Sequence, residues 1–170
     1  MTTTETVQNL ATAPESYTVT LTSYNAVPEQ TSPTPWITAS GAPSNPEVVA
    51  ARSRDLANKL PYGTIIAIYG PSSTDEGPNC GYDSVQNLIG YRVIADSMAA
   101  RMHNKVDVLL DQHDTVPVGG VMTNPAVVLG ACTGVKVQVV GYVNPQSIPP
   151  TQAALASLVS GNSTLADAKF

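Results

Sequence analysis

Two aspartates are candidate acid–base groups. Asp96 ends the apolar run "YRVIAD", and Asp107 lies inside the next apolar run, "KVDVLL". Only 12% of the chain is charged, so carboxylates beside apolar strands are unusual features of it. When two carboxyls lie close together, each resists losing its proton, because like charges repel. Such a pair can give a proton to a leaving group and take one back, which is general acid–base chemistry.

Each aspartate also has a structural interpretation. Asp96 stands at a strand end, where its carboxylate could cap the next turn by accepting backbone N–H bonds. Asp107 lies within a strand, where aspartate is disfavoured, and a structural role would pair it with a nearby cation. The candidate cations are Lys105, Arg101 and Arg92. The residue types leave both interpretations open for both aspartates.

Side chains suited to sugar contacts lie on the segments before and between these aspartates. Aromatic rings can stack on a sugar face, and hydroxyl and basic groups can bond its oxygens. The candidates are Tyr24, Trp36, Thr38, Ser40, Arg101 and His103. The alternatives are a core position for the tryptophan and a solvated turn position for the histidine.

The elements that must position these residues are short strands separated by Pro- and Gly-rich segments. Strands are predicted at 17–24, 37–41, 47–51, 63–70, 89–96, 105–111 and 135–143, and helical pieces at 53–60, 124–131 and 151–160. Ser53 is expected to cap the first helical piece, Asn124 with Pro125 to open the second, and Gly161 to end the third. Segments 71–87 and 113–123 are predicted loops.

This order of elements predicts a mostly β fold, a small, mostly antiparallel barrel of six to seven strands with short helices and extended termini. We expect three parts: a flexible arm at 1–16, the barrel domain at 17–143, and a Pro-broken extension with a short helix at 144–170. The apolar share of 42% is typical of a folded chain rather than a disordered one.

Charge and hydropathy exclude several classes of function. Eight basic and thirteen acidic residues give a net charge of −5, and no basic stripe is visible, so we expect no nucleic-acid partner. No apolar run is long enough to insert into a bilayer. No metal cluster, phosphate-binding glycine loop or Ser-His-Asp spacing is visible, so no cofactor is expected.

The two cysteines, Cys80 and Cys132, lack the CxxC spacing of a zinc or redox site. A disulfide between them requires a suitable folded geometry. Two free thiols is the prediction for a chain made in a reducing compartment.

Three blocks of the sequence resemble a known family, the three-aspartate (3D) domain. The first is "YTVTLTSYNAVPEQTSPTPWITASG", a strand, a Pro/Thr-rich loop and Thr-Ala-Ser-Gly. The second, "VVAARSRDLANKLPYGTIIAI", contains Leu-Pro-x-Gly-Thr before a strand. The third, "VIADSMAARMHNKVDVLL", carries two aspartates at the family's separation. The blocks occur in the family's order and cover about residues 17 to 143.

The resemblance implies a double-psi β-barrel like that of one class of membrane-bound lytic transglycosylases. Those enzymes cleave peptidoglycan glycan strands and leave a 1,6-anhydro end without adding water. By this resemblance, Asp96 is the general acid and base, and Asp107 shapes or polarises the site. The chain departs from the family where paired glycines are replaced by Met98 and Ala99. The family's third aspartate is matched only by Asp55, which is out of register and reads as a first-turn helix residue.

Two functions from different classes follow. One is a peptidoglycan lytic transglycosylase whose partner is the glycan strand. The other is a non-catalytic structural or decoration protein that uses the barrel for glycan binding or subunit contacts, as a homo-oligomer or virion subunit joined through its terminal arms.

The start of the chain bears on localisation. The segment "MTTTETVQNLATAPES" has neither a basic n-region nor an apolar h-region, so we expect no signal peptide. We expect synthesis in the cytoplasm, with action at the cell wall as part of a virion or after lysis.

Overall fold

The computed structural model describes residues 14–71 and 79–161 in full and the helical backbone of 162–167. Most of the expected N-terminal arm, residues 1–13, lies outside the described residues.

Eight strands and three α-helices make up the described chain. The strands are β1 (Ser16–Asn25), β2 (Val49–Arg52), β3 (Thr64–Tyr69), β4 (Arg92–Ser97), β5 (Lys105–Leu110), β6 (Val116–Val118), β7 (Val121–Thr123) and β8 (Cys132–Tyr142). The helices are α1 (Tyr82–Val85), α2 (Pro125–Leu129) and α3 (Gln152–Asp167), with 3₁₀ turns at Arg54–Leu56, Gln86–Leu88 and Pro145–Ser147.

Six strands close into a barrel in the order β1–β5–β2–β4–β3–β8, and β8 pairs with β1 to complete it. The pairs β1–β5 and β2–β4 are parallel, and the other four pairs are antiparallel. The predicted mostly β fold with a closed barrel and few short helices is therefore confirmed. This mixed pairing is compatible with a double-psi barrel.

The sheet buries apolar residues on both faces. In β4, Ile94 belongs to one core cluster, whereas its neighbours Val93 and Ala95 belong to the other. Residues of α1 and α2 pack on the first cluster, and Leu155 of α3 packs in the second. Side chains alternate between faces along a strand, so a segment buried on both faces is continuously apolar, as residues 93–95 of β4 are.

The strand predicted at residues 37–41 is wrong, because the chain reverses there. Only Ile37 pairs, in a single bridge to Pro43. Gly41 adopts a φ of +88°, and its N–H donates to the carbonyl of Thr38. This left-handed conformation suits glycine and closes a turn where a strand would have continued.

The loop predicted at residues 113–123 contains a β-hairpin, formed by β6 and β7. Gly119 and Gly120 connect the strands with φ values of +55° and +81°. A two-residue hairpin turn with positive φ at both positions selects glycine, so the Gly-Gly pair was the missed signal. The loop predicted at 71–87 likewise holds α1 and a 3₁₀ turn, while residues 72–78 lie outside the described part.

The helical predictions need two corrections. Ser53 does not cap its turn; its hydroxyl accepts the N–H of Lys105 instead. Helix α3 does not end at Gly161 but continues to Asp167. Asn124 caps α2 as predicted, by accepting the N–H of Ala126. Across residues 14–71 and 79–167, no helix combines the length and apolar character required to cross a membrane.

The prediction of two free thiols is also wrong, because Cys80 and Cys132 form a disulfide. An antiparallel bridge between Cys80 and Gly130 brings the two segments together, and the Cα atoms of the cysteines lie 4.8 Å apart. That separation lies within the range for a disulfide, and this tertiary contact could not be deduced from a sequence separation of 52 residues.

Candidate functional site

A cleft of about 580 Å³ contains both aspartates, and we call it the carboxyl cleft. Its strand residues are Tyr24, Ala51, Asp96, Ser97 and Asp107. The rest of its lining comes from the loop segment 30–39, from residues 98–102 and from Arg54. Its volume lies within the range of about 300–1,000 Å³ that is usual for ligand sites.

Strand register places the two aspartates on either side of one small residue. Ala51 of β2 pairs with Asp107 of β5 and with Asp96 of β4. The pairing with Asp96 depends on a bulge between Ala50 and Ala51, which shifts the register of β2 against β4. The aspartate Cα atoms are thus two strand spacings apart, about 10 Å. The alanine between them leaves room for a ligand.

Asp96 is held by three hydrogen bonds. Its Oδ2 accepts the Tyr24 hydroxyl at 2.9 Å, and its Oδ1 accepts the N–H groups of Ala39 and Ser97, each at 2.9 Å. The backbone bonds agree with the turn-capping interpretation, and the tyrosine bond adds a donor from within the cleft lining. These three donors fix the orientation of the carboxylate, as preorganised electrostatic groups require.

The position of Asp107 in the cleft changes its acidity. Its pKa is raised from 3.8 to about 6, chiefly by burial and also by the nearby charge of Asp96. A hydrogen bond from the Thr22 hydroxyl, at 2.9 Å, and the charge of Lys105 oppose this rise. A carboxyl with a pKa near 6 exchanges its proton in mildly acidic to neutral solution, as a general acid and base must.

The structural pairing considered for Asp107 does not involve Arg92. That guanidinium is buried and donates to five backbone carbonyls: those of Pro46, Leu88, Ile89, Val49 and Leu109. Burial lowers the pKa of Arg92 to about 10, so it remains a cation at neutral pH. Its role is to tie together chain segments beside β2, β4 and β5.

Tyr24 is a buried hydroxyl donor rather than an open stacking surface. Its side chain is only 8% exposed. Burial raises its pKa well above 10, and the charge of Asp96 and the hydrogen bond to it add to the effect. The phenol therefore stays neutral and continues to donate to Asp96 across the physiological range.

Thr38 and Ser40 brace the turn that supplies the Ala39 N–H. The Thr38 hydroxyl donates to the carbonyl of Ala42 at 2.9 Å and lies 3.0 Å from the Ser40 hydroxyl. Thr38 lines the cleft, whereas Ser40 does not. Their role in this arrangement is to position the N–H donor that holds Asp96.

Of the remaining residues that were predicted to contact a sugar, one lines the cleft and two lie outside it. Arg101 lines it, but His103 is exposed outside it, near Asp55. Trp36 is 63% exposed and is not part of the lining, although its neighbours Pro35 and Ile37 are.

Asp55 holds a turn rather than joining the carboxyl pair. It accepts the N–H of Asn104 at 2.9 Å, and Asn104 has a φ of +49°. This bond connects the 3₁₀ turn after β2 to the residue before β5. A bond from Ser53 and the backbone bonds lower the pKa of Asp55 despite an opposing effect of desolvation.

Sequence reasoning missed Thr22, Ala51 and Arg54. Each lies on a segment that was predicted, but nothing in its local sequence indicates that it faces the aspartates. For Thr22, the only available signal was its place two positions before Tyr24, which puts both side chains on one face of the strand, opposite the buried Leu21.

Among the described residues, no group of three or more His, Cys, Asp or Glu side chains is arranged to hold a metal ion. Comparison with family models, with curated proteins and with solved structures finds no match for this chain.

Proposed function

We propose that this protein cleaves peptidoglycan glycan strands as a lytic transglycosylase and that the carboxyl cleft is its active site. The observation that carries the proposal is the pKa of about 6 at Asp107, in a cleft shared with a second, firmly held carboxylate. The resemblance of three sequence blocks to the three-aspartate domain supports the substrate. The closed six-stranded barrel supports it through its compatibility with the double-psi fold.

In this proposal, the two aspartates have different roles. Asp107, protonated below about pH 6, gives its proton to the glycosidic oxygen as the bond to the sugar C1 breaks. The Asp96 carboxylate, fixed by Tyr24, Ala39 and Ser97, stabilises the positive charge that develops on the ring. This assignment makes Asp107 the proton carrier, where the family resemblance alone favours Asp96.

The second half of the reaction restores the enzyme. The Asp107 carboxylate accepts a proton from the 6-hydroxyl of the same sugar, whose oxygen attacks C1 and closes a 1,6-anhydro ring. One proton leaves Asp107 and one returns, and no water is consumed. A single titrating carboxyl is therefore sufficient, unlike in hydrolytic glycosidases, which activate a water.

Digestion of purified peptidoglycan, followed by mass spectrometry of the products, tests the proposal. We expect anhydro-muropeptides from the native chain, with a rate that falls as the pH rises above about 6. D107N should abolish them and D96N should reduce them strongly. D114N is the matched control, because Asp114 is exposed and is not part of the cleft lining. No anhydro products between pH 4.5 and 7.5 would refute the enzymatic role.

A second candidate function is a non-catalytic role in an assembly, and one observation favours it. The β6–β7 hairpin and α2 expose large apolar side chains: Val118, Val121, Met122 and Val127 are 44% to 73% exposed. Exposed apolar side chains on neighbouring elements are suited to a subunit contact. Native mass spectrometry distinguishes the two candidates: an oligomer that V121S/M122S dissociates supports assembly, and a monomer at all concentrations opposes it.

A further inference from the structure

The arginines of this chain divide into two buried and two exposed residues. Arg52 is 6% exposed and Arg92 is 1% exposed. Arg54 and Arg101 are both exposed, and both line the carboxyl cleft. The chain has no other arginine. All of its exposed guanidinium groups are therefore at one site.

The guanidinium groups of the two buried arginines contact other residues of the protein. The Nε of Arg52 donates to the carbonyl of Leu60 at 3.0 Å, and its guanidinium lies 4.7 Å from the ring centroid of Tyr62. Arg92 is committed to backbone carbonyls. These two residues hold the barrel together and are not available to a ligand.

The guanidinium groups of the two exposed arginines lack such contacts within the described residues. Within the described residues, neither the Arg54 nor the Arg101 guanidinium has a hydrogen bond, a carboxylate partner or an aromatic ring beneath it. Both side chains are exposed to solvent and both line the cleft. They therefore lie at its solvent edge, with their donors free.

Both arginines are carried by segments that are tied together. Arg54 lies in the 3₁₀ turn after β2, and Arg101 lies in the connection between β4 and β5. The bond from the Asn104 N–H to Asp55 joins these segments, so the separation of the two arginines is constrained by the fold. Two guanidinium groups on joined segments can each bind a carboxylate in the bidentate manner typical of arginine.

We propose that Arg54 and Arg101 form an anion-binding edge that selects a glycan carrying carboxylate groups. This inference rests on the proposed function, because it names the class of glycan that the same cleft takes. The chain has a net charge of −5, which repels an acidic polymer, so local cations at the cleft are required to bring one in. The edge position suits carboxylates that project from the strand, as those of stem peptides do, better than carboxylates on the sugar ring.

The experiment measures binding by the full chain carrying D107N, which prevents turnover. The probes are intact peptidoglycan, peptidoglycan stripped of its stem peptides, polygalacturonate and a neutral chitin oligosaccharide. R54Q and R101Q are each expected to weaken binding to intact peptidoglycan about fivefold, and more so at low salt. K136Q is the matched control, because Lys136 is exposed, carries the same charge and lies outside the cleft.

The probes distinguish the two sources of carboxylate. Arginine-dependent binding that is lost when stem peptides are removed assigns the edge to peptide carboxylates. Arginine-dependent binding of polygalacturonate assigns it to ring carboxylates. The chitin oligosaccharide should bind equally to all variants. Equal binding of R54Q/R101Q and its parent to every acidic probe overturns the inference, and so does an equal loss from K136Q.

The inference and the proposed function can fail separately. Anhydro products from the native chain, with binding unchanged in R54Q/R101Q, would retain the enzyme and remove the anion-binding edge. Arginine-dependent binding without any anhydro product would retain the edge and remove the enzyme. In an active background, the double variant should raise KM on intact peptidoglycan and leave kcat nearly unchanged.

Discussion

Asp107 should make the stability of this protein fall as the pH rises, and Asp107→Asn should remove that dependence. The pKa of Asp107 is about 6 in the folded protein, against a usual value of 3.8. Between these values, the folded state binds more protons than the unfolded state. The stability that this group contributes is therefore fully present below about pH 4 and is lost as the pH rises through about 6.

The size of the effect follows from the difference between the two pKa values. That difference corresponds to at most about 3 kcal/mol, at about 1.4 kcal/mol for each factor of ten. Asp107 keeps part of its surface open to the cleft, and solvent there reduces the figure to about 1–3 kcal/mol. Asparagine has nearly the same shape, can accept the Thr22 hydroxyl and carries no charge at any of these pH values.

Urea unfolding of the native chain and D107N at pH 4, 5, 6, 7 and 8, at constant ionic strength, checks the prediction. Relative to pH 4, D107N should gain about 1–3 kcal/mol over the native chain by pH 7. The exposed Asp114→Asn should run parallel to the native chain. Curves for D107N that also run parallel to the native chain would show that the carboxyl is not desolvated, and the acid–base role would lose its physical basis.

One further prediction concerns the hydrogen bond to Asp107, and another concerns the disulfide. Thr22→Val should raise the pKa of Asp107 above about 6, because the hydrogen bond from the Thr22 hydroxyl favours the charged carboxylate. A ¹³C NMR titration of the Asp107 carboxyl measures the change, and an unaltered midpoint would contradict the prediction. Reduction of the Cys80–Cys132 disulfide should lower the free energy of unfolding by about 4 kcal/mol, because the bond closes a loop of 52 residues and so restricts the unfolded chain. Urea unfolding with and without reductant measures the difference.

Much of the barrel was predictable because its strands carry local signals. The alternation in β1 and the continuous apolar runs of β3 and β4 place strands where the structure has them. The Asn-Pro start of α2 is equally local, since the cap and the fixed φ of proline act within a few residues. The errors at 37–41 and 113–123 come from glycines whose positive φ values turn the chain.

The candidate site was predictable only in part. The segments around Asp96 and Asp107 were chosen from their charge within apolar surroundings, and the structure places both in one cleft. Their different environments were not predictable. The three donors to Asp96 include one from Ala39, which is 57 residues away, and the bond to Asp107 comes from Thr22, 85 residues away.

By itself, the amino-acid sequence determined the class of fold and the pair of carboxyls, because hydropathy, β-branching and turn residues act on near neighbours. Only the tertiary structure decided that burial raises the pKa of Asp107 to about 6. It also decided that Cys80 and Cys132 are joined and that the two exposed arginines lie at the same cleft. Desolvation, strand register and the closing of the barrel depend on residues far apart in the chain, and no local pattern specifies which of them meet.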